Sequence, residues 1–84
     1  MRLVFEREAT EDFRFWIETD QRKALKILHL IKAAMADPFE GIGKPEPLKF
    51  GLSGFWSRRI DQEHRLVYKV EKGELVMLAC RYHY

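Results

Sequence analysis

The chain has one cysteine, Cys80, among its 84 residues, so an internal disulfide is excluded. No Cys/His cluster has the spacing of a zinc site. No cofactor motif is present, and neither a metal nor a cofactor is expected. The longest unbroken apolar run is Leu75–Cys80, far short of the roughly 20 residues of a membrane helix. The opening residues carry no secretory pattern, since three apolar residues after Arg2 give way to Glu6. A cytoplasmic, reducing location and no membrane partner are the expectations. At this length there is room for one domain, spanning residues 1–84, and none for a repeat array.

An apolar fraction of 46 % and a charged fraction of 33 % fit a folded globular chain. The net charge of +2 conceals an asymmetry: residues 1–20 carry −3 and residues 21–84 carry +5. A basic remainder on so small a domain points towards a polyanionic partner.

Arg2–Glu6 reads as a short strand with Leu3 and Phe5 on one face. Glu8, Glu11 and Asp12 then crowd a first helical turn, where carboxylates favour the positive end of the helix dipole. Ala9, Phe13, Trp16 and Ile17 follow the spacing of a buried helical stripe. Thr19-Asp20 breaks that helix, and Asp20 can cap the next. Ala24, Ile27, Leu28, Ile31 and Met35 form a second stripe, with Arg22, Lys26 and His29 opposite. Asp37-Pro38 ends it, because the residue before proline disfavours helix. Residues 38–47 are rich in turn formers and read as a loop of about ten residues. Strand signals follow at Leu48–Phe50, Phe55–Ile60, Arg65–Val70 and Leu75–Tyr82, separated by turn segments. The fold class is α+β: an N-terminal strand, a two-helix hairpin over one sheet face, then an antiparallel meander.

Three segments can carry chemistry. In Lys44-Pro45-Glu46-Pro47-Leu48-Lys49, two prolines stiffen the backbone around a carboxylate. This is either a rigid exposed turn or a general base on a fixed mount. The second segment is the hairpin Ser57-Arg58-Arg59-Ile60 … His64-Arg65-Leu66. Its arginines either guard a sheet edge or bind phosphate through their planar donor forks. Arg58 and Arg59 must point to opposite faces, and Arg59 shares a face with Arg65 only across a loop of odd length. The third is Arg81-Tyr82-His83-Tyr84, either a frayed terminus or a tail held by a central strand. There His83 can exchange a proton near neutrality and Tyr84 can stack on a base.

Together these segments suit RNA cleavage by its own 2′-hydroxyl. That reaction needs a base, cations for the phosphorane and an acid for the leaving 5′-oxygen. Glu46, Arg59 with Arg65, and His83 match those needs without a metal. Elsewhere, His29 reads as a surface residue, His64 as a structural turn residue and Cys80 as a small buried apolar residue. Phe13, Trp16, Leu28 and Ile31 read as core, and Phe15 as a candidate partner contact if exposed.

The blocks Pro38-Phe39-Glu40-Gly41 … Gly43-Lys44-Pro45-Glu46-Pro47-Leu48-Lys49, Leu52-Ser53-Gly54-Phe55-Trp56-Ser57-Arg58-Arg59-Ile60, His64-Arg65-Leu66-Val67-Tyr68 and Cys80-Arg81-Tyr82-His83-Tyr84 resemble the YoeB (Txe/YoeB) toxins of the RelE-like toxin–antitoxin superfamily. The resemblance spans the whole chain. It implies a RelE-like fold and a ribosome-dependent endoribonuclease that cuts messenger RNA in the decoding site and stops translation. It implies Glu46 as general base, His83 as general acid and Arg65 as stabiliser of the phosphorane. Arg59 and Lys49 would bind phosphate, and Tyr84 would orient the substrate or stack on it. The implied partners are a YefM-like antitoxin and the 70S ribosome with its message. A homodimer is also implied, with Phe15 and the acidic first helix as the surface on offer. One departure is Phe50 after Lys49, where relatives can carry a histidine; any RNA contact of that histidine would fall to stacking by Phe50. The competing reading is a non-catalytic module that binds the ribosome or nucleic acid and acts by occupancy.

Overall fold

The computed structural model describes residues 1–82. Strand β1 (Arg2–Phe5) leads into helix α1 (Arg7–Thr19) and helix α2 (Gln21–Ala36). Strands β2 (Glu46–Pro47), β3 (Phe55–Arg59), β4 (Arg65–Glu71) and β5 (Glu74–Ala79) follow. They form one sheet in the order β1-β5-β4-β3-β2. β1 runs parallel to β5, with Leu3 opposite Leu75, and the other neighbours are antiparallel. The expected meander is therefore present, and the N-terminal strand closes its far edge.

Local chemistry explains the joints. Asp20 separates the helices, and its Oδ1 accepts hydrogen bonds from the Arg22 and Lys23 amides at 3.1 and 3.4 Å. This satisfies two of the orphan donors at the start of α2. α2 stops at Ala36, ahead of Asp37-Pro38, as the proline demands. The turn between β3 and β4 is closed by the Asp61 carboxylate, which accepts from the Glu63 and His64 amides at 2.7 Å each. Lys23 Nζ reaches the same carboxylate at 2.7 Å and ties α2 to this turn.

The core joins Ala9 and Trp16 of α1, Ala24, Ile27, Leu30 and Ile31 of α2, and Leu66, Tyr68, Leu75 and Met77 of the sheet. Burial of this apolar surface is the main force holding helices to sheet. The second helical stripe differs from expectation at one place. Leu30 is fully buried, whereas Leu28 is 47 % exposed. At about 100° per residue, Leu30 lies about 60° from Ile27 and Leu28 about 100° away. Leu28 thus falls on the flank. With Phe13, Ile17 and Leu25 it lines an open apolar groove of about 320 Å³ between the helices. Ile17, placed on the first stripe by its spacing, is likewise exposed.

Two strand boundaries also move. The strand expected at Leu48–Phe50 lies instead at Glu46–Pro47, paired with Ser57 and Trp56. The Leu48 amide still donates to Phe55 O at 2.9 Å, but Phe50 has φ 54° and Gly51 φ 82°, and the chain turns there. β5 ends at Ala79 and not at Tyr82, because the Cys80 amide leaves the sheet to donate to Asp12 Oδ2 at 3.0 Å. His29 is exposed and Cys80 fully buried, as their patterns imply. Phe15 is half-buried; its ring meets Trp16 edge-on at 5.0 Å and carries the Arg81 guanidinium at 3.6 Å.

Candidate active site

Strand alternation decides which side chains can meet. Arg59 and Arg65 are direct register partners across the β3–β4 hairpin and share the sheet face away from the core. The loop between them has five residues, but its odd length is not what decides the matter: direct partners in an antiparallel pair share a face whatever the loop length. Glu46 lies opposite Ser57 at the β2 edge of that face. Its Oε1 accepts from Arg65 Nη1 at 3.4 Å, with side-chain exposures of 56 % for Glu46 and 21 % for Arg65. Arg65 Nε is covered and has no hydrogen-bond partner among the described residues. Arg59 is exposed beside it.

Lys49 sits in the turn after β2. With Glu46, Pro47, Leu48, Phe50 and Leu52 it lines a shallow depression of about 460 Å³. Phe50 is 96 % exposed, its ring free in solvent at the rim. A second depression of about 360 Å³ lies beyond Arg59 and brings Lys26 of α2 and Lys44 of the loop to the same side. The structure thus brings Glu46, Arg65 and Arg59 together and sets Lys49 on the rim next to Glu46. The expectations for His83 and Tyr84 lie outside the described residues. Among the described residues no three His, Cys, Asp or Glu side chains converge as a metal ion would need. What the face offers is a solvent-accessible carboxylate beside guanidinium groups, an arrangement suited to moving a proton next to a bound anion.

The family model for the YoeB-like toxin of bacterial type II toxin–antitoxin systems matches residues 5–84. The chain is a YoeB-like type II toxin. It is 57 % identical to Toxin YoeB of Escherichia coli (strain K12) over 84 residues, covering all of both chains. A solved YoeB/ParE toxin from Agrobacterium tumefaciens superposes with a TM-score of 0.97 at 48 % identity, again covering all of both chains. A YoeB dimer and a heterotetrameric YoeB–YefM complex, both from Staphylococcus aureus, superpose with TM-scores of 0.93 and 0.91 at 41 % identity. Each alignment with them covers 100 % of this chain and 98 % of the other.

Two devices hold this YoeB-like site in place. The first is Arg58, which points into the protein and is fully buried. Its Nε donates to Tyr68 Oη at 2.9 Å and its Nη1 to Ile42 O at 3.0 Å. Its Nη2 donates to Asp37 O at 2.6 Å and Glu40 O at 3.0 Å. Tyr68 Oη in turn donates to Pro38 O at 2.6 Å. Burial pushes the Tyr68 hydroxyl above its ordinary pKa, although the Arg58 hydrogen bond pulls the other way, so it keeps the proton that it donates. One guanidinium therefore collects the carbonyls of the loop leading to Glu46. Gly43 completes the seam: its carbonyl accepts from the Arg59 amide at 2.7 Å. With φ at 84°, a Cβ on Gly43 would stand 2.7 Å from buried Leu30 Cδ2.

The second device grips the segment after β5. Asp12 Oδ2 takes the Cys80 amide, and Trp16 Nε1 donates to Cys80 O at 2.8 Å. The Tyr82 amide donates to His64 Nδ1 at 2.7 Å, and Tyr82 O accepts from the Arg65 amide at 2.8 Å. Burial raises the Asp12 carboxyl even though the Cys80 amide lowers it, and burial pushes the Cys80 thiol up to about 12. Arg58, grouped by its sequence with the hairpin arginines that guard an edge or bind phosphate, does neither, since it is buried with its donors spent on Tyr68 and the loop. Sequence reasoning gave Lys26 and Lys44 no role of their own in the site and took His64 as a structural turn residue. For Arg58 a signal existed: of two adjacent arginines on a strand, one must face the interior side.

Proposed function

We propose that this YoeB-like toxin is a ribosome-dependent endoribonuclease that cuts messenger RNA in the decoding site and thereby stops translation. The observation that carries the reading is the Glu46 carboxylate 3.4 Å from Arg65, with Arg59 directly across the hairpin on the same open face. Glu46 takes the proton of the 2′-hydroxyl as it attacks the adjacent phosphate. Negative charge then grows on the phosphorane oxygens, and Arg65 and Arg59 stabilise it. Lys49 holds a neighbouring phosphate at the rim of the depression. His83 gives a proton to the departing 5′-oxygen, and Tyr84 orients the substrate or stacks on it. The products are a 2′,3′-cyclic phosphate and a 5′-hydroxyl end, with no metal in the cycle.

The openness of the site supports the ribosome requirement. Glu46 and Arg59 are themselves exposed at the surface. A message fixed in the decoding site supplies the alignment that such a surface lacks, and alignment is a large part of a barrier. By likeness to the S. aureus complex, a YefM-like antitoxin binds this toxin and holds it inactive. A homodimer is proposed by likeness to the solved YoeB dimer. The setting is cytoplasmic, where translating ribosomes are found.

The test is primer extension on a defined message with purified ribosomes, for wild type, Glu46→Ala and His83→Gln. The expected result is a new 5′-hydroxyl end within the decoding-site codon, absent without ribosomes and lost in both variants. An intact message with translation still blocked would overturn the enzyme and leave an occupancy module.

A further inference from the structure

We propose that His64 is a positioning residue for the catalytic tail: its Nδ1 fixes the backbone of Tyr82, which directly precedes the proposed acid in the sequence. The inference rests on the endoribonuclease reading above. After β5, Cys80 and Tyr82 are each held by both backbone groups. Cys80 is gripped on its amide by Asp12 and on its carbonyl by Trp16, both from α1. Tyr82 is gripped on both of its backbone groups by the start of β4, through His64 Nδ1 and the Arg65 amide. Tyr82 has φ 62°, a left-handed conformation that a non-glycine residue adopts only when its surroundings impose it.

The imidazole is built in for this purpose. His64 is 7 % exposed and meets Trp16 edge-on at 4.7 Å, while the Tyr82 ring lies 5.4 Å away. Its own amide is held by Asp61, so the ring is fixed at its base as well. A ring nitrogen that accepts a hydrogen bond carries no proton, so the proton of the neutral ring is on Nε2, 3.5 Å from Glu63 Oε1. An apolar side chain could fill the same space, but only an acceptor can hold the Tyr82 amide. The next residue, Arg65, takes Tyr82 O and also contacts Glu46. The base and the start of the tail are therefore referenced to the same two residues of β4 and its turn.

The test compares full-length wild type, His64→Leu and His64→Asn in single-turnover cleavage of a defined message on purified ribosomes, with ribosome binding measured separately. Asn carries an acceptor one bond from Cγ, as Nδ1 is; Leu carries none. His64→Leu is expected to cleave about 10–100-fold more slowly with binding changed less than about twofold, the size of effect that ångström-scale misplacement produces. His64→Asn is expected to recover most of the rate. A folded His64→Leu variant that cleaves at the wild-type rate overturns the proposal, as does equal loss in both variants. Should His64→Leu fail to fold, NMR of the wild type decides. A His64 ring protonated on Nδ1, or a Tyr82 amide exchanging as fast as a free peptide, overturns it; a proton on Nε2 with a protected Tyr82 amide supports it. Wild type that leaves the message whole on ribosomes overturns the enzymatic reading and this inference together. Wild type that cuts alongside an equally active His64→Leu overturns the inference alone.

Discussion

Replacing Arg58 by methionine keeps most of the aliphatic stem and removes every donor of a fully buried guanidinium. Five oxygens are affected: Tyr68 Oη and the carbonyls of Asp37, Glu40 and Ile42 lose a partner directly, and Pro38 O depends on the orientation of Tyr68. A hydrogen bond to a charged group contributes about 1.5–3 kcal/mol, so four of them would sum to far more than is realistic. Two effects reduce the loss. The loop carbonyls are only partly buried and can recover water. The variant also escapes the cost of burying a cation. A net loss of about 3–5 kcal/mol remains, typical of breaking a buried charged network. A domain of this kind holds roughly 5–15 kcal/mol in total, and the melting temperature should drop by about 15–30 °C. Urea titration followed by far-UV circular dichroism measures the global loss. The Trp56 indole resonance reports the loop, since Trp56 packs on Phe39 at 4.8 Å. Arg58→Lys should fall between the two, because an ammonium cannot reach four acceptors spread around a fork. A loss under about 1 kcal/mol in Arg58→Met, with the Trp56 resonance unmoved, would refute the view that this arginine organises the loop.

Two further outcomes are expected. Burial alone would raise the Asp61 carboxyl, but Lys23 and the His64 and Glu63 amides outweigh it and hold it down to about 2. Its stabilising effect is therefore complete above the unfolded carboxyl range near pH 4 and fades as pH falls towards 2. Urea stability of wild type should decline through that window by about 1–2 kcal/mol more than that of Asp61→Asn; parallel pH curves would count against the Lys23–Asp61 tie. Cys80, buried, with its thiol pushed up to about 12 and its sulfur 3.7 Å from Ala9 O, should resist iodoacetamide at about pH 8 until the chain unfolds. Rapid alkylation of native protein would show that the segment after β5 opens readily.

Much of this architecture is legible in the amino-acid pattern, and the misses have physical causes. Period-two alternation establishes that Arg58 and Arg59 face opposite ways; it carries no sign, so it cannot tell which is interior. The answer comes from the loop of residues 37–43 wrapping over β3 and offering carbonyls. Pro45 and Pro47 resemble turn punctuation, which pushed the expected strand to Leu48–Phe50. Pro47 is tolerated in β2 because an edge strand leaves one row of amides unused. Leu28 and Leu30 both fit an amphipathic helix, and only the position of α1 and the sheet chooses between them. The Glu46–Arg65 pair was foreseeable as chemistry and not as contact, since spacing along the chain says nothing about two hairpins aligning. His64 shows the same gap. Its role depends on a backbone amide of Tyr82, 18 residues further along the chain.

The sheet order also bears on when during synthesis this toxin becomes itself. β5 leaves the ribosome after every other element, yet it lies between β1 and β4 and pairs with both. Until it emerges, Leu3 to Phe5 have no strand to join, Trp16 lacks the Cys80 carbonyl, and the core has lost Leu75 and Met77. A nascent chain stopped short of Leu75 cannot close the sheet that fixes Arg65 at the start of β4. The last strand to be made thus acts as a keystone, and an unfinished copy has neither a closed sheet nor a complete core.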